Sequence, residues 1–173
     1  RNKNLMEKIM DIIIKPFAQE HKKQILQYII LFFNTHHMKI EEIDAHANLL
    51  NWISEGHEFY EILGDDELIG FVHVCMRGST ACWIENIFVD ERFRRRGVAS
   101  KAIALIEEIL RERNIDGICI DVVPDNLPAL KLYHHLGYNR LSMITIRKDM
   151  RPFTVDCTEQ IHDMKFYVKH FED

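Results

Sequence analysis

Six consecutive residues, Arg94, Arg95, Arg96, Gly97, Val98 and Ala99, stand between an apolar strand pattern at 83–89 and a long amphipathic helix pattern at 97–114. No other feature constrains the fold as much. The first N–H groups of a helix have no acceptor within it, and the helix dipole adds partial positive charge there. A short arginine-bearing turn, with one glycine that lets the backbone approach closely, makes such a helix end a cradle for a phosphate or pyrophosphate. The common glycine-rich nucleotide loops do not fit. The chain has 7 glycines, none spaced for G-x-G-x-x-G or G-x-x-x-x-G-K-S/T.

Upstream of this turn the pattern is helical and then antiparallel. Residues 9–16 read as a first strand closed by Pro16. Residues 20–34 have helical spacing, with Ile25, Tyr28, Ile29 and Phe32 on one face. Residues 40–54 repeat that spacing through Ile43, Ala47, Leu50 and Ile53, which are expected to face the core, and Gly56 suits the end of this helix. Strands follow at 59–63, 68–76 and 81–89, joined by turn chemistry at Gly64, Asp65 and Asp66 and at 77–80.

Downstream the order becomes strand, helix, strand. The helix at 97–114 carries a stripe of Val98, Ala102, Leu105, Ile106, Ile109 and Leu110. Residues 117–123 are apolar apart from Asp121, as expected for a strand covered on both faces. Asn126 is placed to cap the next helix, Pro128 falls in its first turn, and Gly137 ends it in a left-handed conformation. Residues 138–148 alternate as a long strand, and 164–171 read either as a further strand pairing with it, the favoured reading, or as an amphipathic helix. The expected class is α+β in three layers, a central mixed and mostly antiparallel sheet with helices on both faces, built as one domain over 1–173 with its motif-bearing core at about 10–150 and an extension at 151–173.

With 173 residues the chain can bury a substantial core, and its longest apolar run, 28–33, is far too short to span a bilayer. No stretch has the pattern of a secretory leader. A net charge of −5 disfavours general nucleic-acid binding. Cys75, Cys82, Cys119 and Cys157 lack C-x-x-C spacing and read as reduced thiols of a cytoplasmic protein, although Cys75 and Cys82 lie where a turn places them across from each other. The 10 histidines are scattered, with His36–His37 and His134–His135 as adjacent pairs, so no metal site is expected.

Two segments together carry a family signature. Arg94-x-x-Gly97-x-Ala99 after a strand matches Q/R-x-x-G-x-G/A, and Asn126, Ala129, Tyr133, Gly137 and Tyr138 match N-x-x-A-x-x-x-Y-x-x-x-G-F/Y in full. In these residues the chain resembles the GNAT superfamily of acyl-CoA-dependent N-acetyltransferases, specifically over about 83–140 and in element order over roughly 10–150. The resemblance implies the GNAT fold and a bound acetyl-CoA as acyl donor, with no metal. It places the pyrophosphate on the N–H groups from Arg95 through Ser100 (Arg95, Arg96, Gly97, Val98, Ala99, Ser100), with the side chains of Arg94, Arg95 and Arg96 adding charge, and the pantetheine arm along the main chain of Ile87, Phe88 and Val89 as if it were another strand. Asn126 and Ala129 would lie near the cofactor, and Lys131 would reach toward its ribose phosphate.

The implied reaction is direct attack of an amine on the acetyl carbonyl. An alkyl ammonium has a pKa near ~10 and must lose a proton first. Glu85, the sole ionisable side chain in 83–89, is the candidate base, a solvent-facing or arginine-paired strand glutamate being the plain alternative. Tyr133 matches the family's general acid, and a main-chain N–H near Ile87 or Phe88 would hold the oxyanion. His73, in mid-strand, is read either as facing the acceptor cleft or as a packed residue. The acceptor is the part without motifs. Glu41, Glu42, Asp44 and the net negative charge suit a small cationic amine such as an aminoglycoside or polyamine, and the run from Ile84 to Val89 followed by the arginines is similar to aminoglycoside 6'-acetyltransferase-type members. A protein amine is the other acceptor class, and an inactive acyl-CoA sensor or a nucleic-acid binder using Arg92, Arg94, Arg95 and Arg96 are the rival functions. The aromatic tail, Phe166, Tyr167 and Phe171, suits pairing into a homodimer.

Overall fold

The computed structural model describes residues 10–78, 80–151 and 157–168. They form two compact units, one ending at Ile120 and one starting at Asp121. The first is a five-stranded sheet in the order β1 (Ile12–Pro16), β2 (His57–Gly64), β3 (Glu67–Met76), β4 (Ala81–Val89), β5 (Gly117–Ile120). Neighbours are antiparallel through β4, and β4 pairs with β5 in parallel. The sheet is therefore mixed and mostly antiparallel, as expected. The β2–β3 hairpin turns on Asp65 and Asp66, both at positive φ (50° and 67°), the two-residue geometry whose twist suits flanking strands.

Alternation along the strands sends side chains to two helical layers. Phe59, Phe71 and Phe88 meet α1 (Lys22–Asn34) and α2 (Glu42–Trp52) in a core with Ile25, Tyr28, Ile29, Phe32, Leu49 and Trp52. Tyr60 and Glu58 point to the other face, where Arg113, at the end of α3 (Val98–Glu112), donates to Glu58. The α1 stripe is buried as expected. In α3 Ile103 is buried as well, while Leu105 and Ile109 are half-buried.

The reading of α2 is overturned. Its buried side chains are Ala45, Leu49 and Trp52, whereas Ile43 and Leu50, expected in the core, are 75% and 58% exposed, and Ala47 and Ile53 are exposed too. This helix has two apolar stripes, and helical periodicity alone does not choose between them. The choice falls to Trp52, whose large ring buries the most area and stacks on Phe33 and Phe59 at 6.3 Å each.

Strand β5 stops at Ile120, short of Val123, and none of its residues is buried, because it is an edge strand paired on one side. The second unit holds α4 (Leu127–His135) and a hairpin of β6 (Cys157–Ile161) and β7 (Met164–Val168). The expected strand at 138–148 does not form. Residues 139–149 carry no regular structure and expose Leu141, Met143 and Ile146, so alternation there found no pairing partner. Consequently β7 pairs with β6 across His162 and Asp163 rather than with that segment. Cys75, Cys82 and Cys119 are free thiols; the side chain of Cys157, like Ser79 and residues 1–9, 152–156 and 169–173, lies outside what the structure describes.

Gly70 is where the sheet is tightest. A Cβ there would sit 2.2 Å from the Phe88 carbonyl oxygen, a backbone atom of β4 that cannot rotate away. Gly70→Ala is expected to lower stability by about 1–3 kcal/mol, the range for a forced overpacking, read as a fall in the urea midpoint with an unchanged m-value.

Candidate active site

The centre of the site is a fault in the β3–β4 ladder. His73 pairs with Asn86 and Val74 with Ile84, so Glu85 is an extra residue, a β-bulge. The parallel ladder with β5 ends at the same level, its last pair being Ile84 with Ile120. From Glu85 to Val89 the outer edge of β4 thus runs beyond its β5 neighbour, as a slot for an extended ligand requires.

Around the bulge the sheet face toward α2 carries His57, Cys75 and Trp83 in one row, and Phe59, His73 and Asn86 in the next. Glu85 is 24% exposed at its side chain and accepts a hydrogen bond from Arg77 Nη2 at 2.6 Å. Arg77 in turn lies over the Trp83 ring, 4.6 Å from its centroid. The arginine partnership weighed from sequence is therefore present. It occupies Oε1 of Glu85, leaving Oε2 to receive a proton.

His73 is a packed residue, 2% exposed. Asn86 Nδ2 donates to its Nδ1 at 2.9 Å, its Nε2 meets His57 Nδ1 at 2.9 Å, and Trp52 stacks on its ring at 5.0 Å. Burial, helped by His57, pushes its pKa down to about 3.

The arginine turn begins at Asp90, whose carboxylate accepts from Arg92 N at 3.0 Å and starts one turn of 3-10 helix, Glu91–Phe93. Hydrogen bonds from Arg92 hold the Asp90 carboxyl below the usual carboxylate range. Arg95 and Gly97 then take positive φ, 60° and 77°. Alternating the hand of successive residues curls the main chain into a concave anion nest. Gly97 is the N-cap of α3 and gives it no side-chain cap, so the N–H groups of Val98, Ala99 and Ser100 are left for a ligand. A Cβ at Gly97 would touch nothing; the glycine is there for its φ. The three arginines are not equivalent. Arg94 Nε donates to the Val89 carbonyl at 2.8 Å and Arg96 lies over Phe93, 5.8 Å from its centroid.

Sequence reasoning missed what fastens this turn. Tyr28 of α1 hydrogen-bonds both to the Leu68 carbonyl at 3.0 Å and to Asp90 Oδ2 at 3.1 Å, and Asp90 N donates to the Ile69 carbonyl at 2.8 Å. Arg92, a candidate nucleic-acid contact, is bound to Asp90 and to Glu67. Likewise, Glu41 and Asp44, expected as part of an acidic acceptor surface, form a capping box at the start of α2.

The second unit carries the other motif. Asn126 Oδ1 accepts from Ala129 N at 3.2 Å, capping α4. Ala129 and Tyr133, four residues apart, share a helix face, while Lys131 lies roughly 200° around from Ala129. Tyr133 is half-buried, with its ring against Tyr138 at 6.3 Å, and burial raises its pKa, so the phenol keeps its proton at neutral pH.

Residues 7–138 match the model of the acetyltransferase (GNAT) family. The chain belongs to this GNAT family. The [ribosomal protein bS18]-alanine N-acetyltransferase of Haemophilus ducreyi is 27% identical over 138 residues, 75% of this chain and 92% of that protein. The spermine/spermidine N(1)-acetyltransferase of Bacillus subtilis is 28% identical over 57 residues, 32% of this chain and 38% of that one. Among solved structures, the aminoglycoside N-acetyltransferase AAC(6')-Iy in complex with CoA superposes with a TM-score of 0.67 at 18% identity, covering 85% of this chain and 100% of that one. This GNAT chain is thus an N-acyltransferase, and its mixed sheet flanked by helices is the fold it shares with that structure.

The buried His73 makes the stability of this GNAT protein acid-sensitive. Unfolded, the imidazole takes up a proton near its ordinary 6.5; folded, only near 3. Between those values the unfolded state binds more protons, so stability is complete above about 6.5 and falls with pH by up to about 1.4 kcal/mol per unit from this residue. Urea midpoints at pH 7, 6 and 5 should fall more steeply for the wild type than for His73→Gln.

Proposed function

We propose that the protein transfers the acetyl group of acetyl-CoA directly to a primary amine of a small cationic molecule. The observation that carries this reading is the coincidence of three features on β4: the Glu85 bulge, the end of the β5 ladder, and the Arg95–Gly97 nest just downstream. The residues present fit the donor. The N–H groups of Val98, Ala99 and Ser100 would hold the pyrophosphate, with Arg95 of the same turn adding charge, and the β4 edge at Ile87, Phe88 and Val89 would take the pantetheine arm. The bound thioester supplies an activated acyl carbon and a good leaving group. Glu85 takes the proton that the acceptor ammonium must lose. A main-chain N–H beside the bulge stabilises charge developing on the acyl oxygen. Tyr133, held protonated by burial, gives its proton to the leaving thiolate.

Net charge −5 and the carboxylates Glu85 and Glu42 support a cationic acceptor. A protein N-terminal amine is the second reading, supported by the long match to the bS18-alanine acetyltransferase. An acyl-CoA sensor without turnover is not favoured, since both proton-transfer candidates are present.

Thiol release measured with polyamines, aminoglycosides and peptides with N-terminal alanine separates the two acceptor classes; turnover with peptides alone would reject the small-amine reading. Glu85→Gln should lower kcat/KM by about 100-fold near pH 7, and the deficit should shrink toward pH 10, where the amine loses its proton without help. Tyr133→Phe should lower kcat by about 10–100-fold while the Kd for acetyl-CoA stays within about twofold; an unchanged kcat would assign Tyr133 to packing.

A further inference from the structure

The β3–β4 ladder does not itself decide which residue bulges. Val74 pairs with Ile84 and Val72 with Ile87 whether Glu85 or Asn86 stands opposite His73. Side chains must make that choice, and the acceptor on β3 is a buried neutral imidazole. Asn86 Nδ2 can only donate, so His73 Nδ1 accepts, and the ring proton is therefore on Nε2, where it is donated to His57 Nδ1. Every polar atom of His73 is thereby used, and no buried side-chain nitrogen or oxygen among the described residues lacks a partner. Glu85 in the same place would put a carboxylate against an uncharged, 2% exposed ring, at the cost of burying an unpaired charge. With Asn86 inside, Glu85 is left at the rim beside Arg77.

We propose that the hydrogen-bond chain Asn86–His73–His57 sets the register of the β4 bulge, and that His73 is thereby a positioning residue that aims Glu85 at the acceptor amine. This rests on Glu85 being the base. The groups facing His73 are His57 from β2, Asn86 with Glu85 and Arg77 beyond it from the β4 side, and Trp52 from α2. The chain passes no proton to substrate. It fixes one of two otherwise equivalent registers.

Nitrogen-15 NMR of histidines in the full chain reads the tautomer directly: His73 should be Nε2–H, and an Nδ1–H or doubly protonated ring at pH 7 overturns the proposal. In kinetics, His73→Leu should lower kcat at least about tenfold with KM for acetyl-CoA within about twofold. His73→Gln should recover most of the loss, its amide oxygen accepting from Asn86 and its N–H donating to His57. Equal kcat for the Leu and Gln variants overturns the proposal. If His73→Leu does not fold, Asn86→Ala carries the same kinetic expectation. Repeating the substitution in Glu85→Gln closes the cycle. A residue acting through Glu85 should cost nothing further there, and an undiminished loss overturns the proposal. Should Glu85→Gln alone keep wild-type kcat, it is the base assignment that fails, and the His73 tautomer still reports on the register.

Discussion

The site depends on the unequal pairing of β4. On one side it is hydrogen-bonded to β3 along its length; on the other it meets β5 only through Ala81–Ile84. A strand tied on both sides has no main-chain groups to offer, and one free on both sides would not hold a shape. Half-tied, β4 keeps a rigid inner edge and presents an outer one. The close approach at Gly70, which leaves no room for a side chain against the Phe88 carbonyl, secures the inner edge where the outer is needed.

Electrostatics divide the sheet face around the bulge by depth. Inside, His73 is uncharged and satisfied by Asn86 and His57; at the rim, Glu85 is charged and held by Arg77. A bulge is what lets two consecutive residues, one amide and one carboxylate, share a sheet face that strict alternation would split between them. At the far end of β4 the arginine turn is fixed less by its own arginines than by Asp90, anchored through Tyr28 to α1.

Much of this was legible in the sequence because it is local. Asp65–Asp66 as a hairpin turn, Asn126 as a cap, Gly97 at a helix start and the α1 stripe each follow from the conformational preferences of a few adjacent residues. The pairing of His57 with His73 was not legible. A two-residue turn places Gly64 opposite Glu67, and extending that register would put His57 opposite Val74, on the other sheet face from His73. A second irregularity, at Ile62 and Leu63, shifts the register by one, bringing His57 opposite Cys75 and both imidazoles to one face. No composition rule announces such a shift, since it arises from how two strands settle against the helices.

The helix α2 and the segment 138–148 teach the same lesson from the other side. In α2 two apolar stripes competed and the larger ring, Trp52, won burial; at 139–149 alternation was present but no strand paired with it. By itself the sequence determined the elements that short-range chemistry decides: turns, caps, the anion-binding helix start and the family motifs at Arg94, Gly97, Asn126 and Tyr133. Only the tertiary structure decided which face each helix buries, which residue bulges from β4, and which side chains therefore share the slot. Those outcomes depend on register and packing between segments far apart in the chain, where a shift of one residue moves a side chain from the core to the rim.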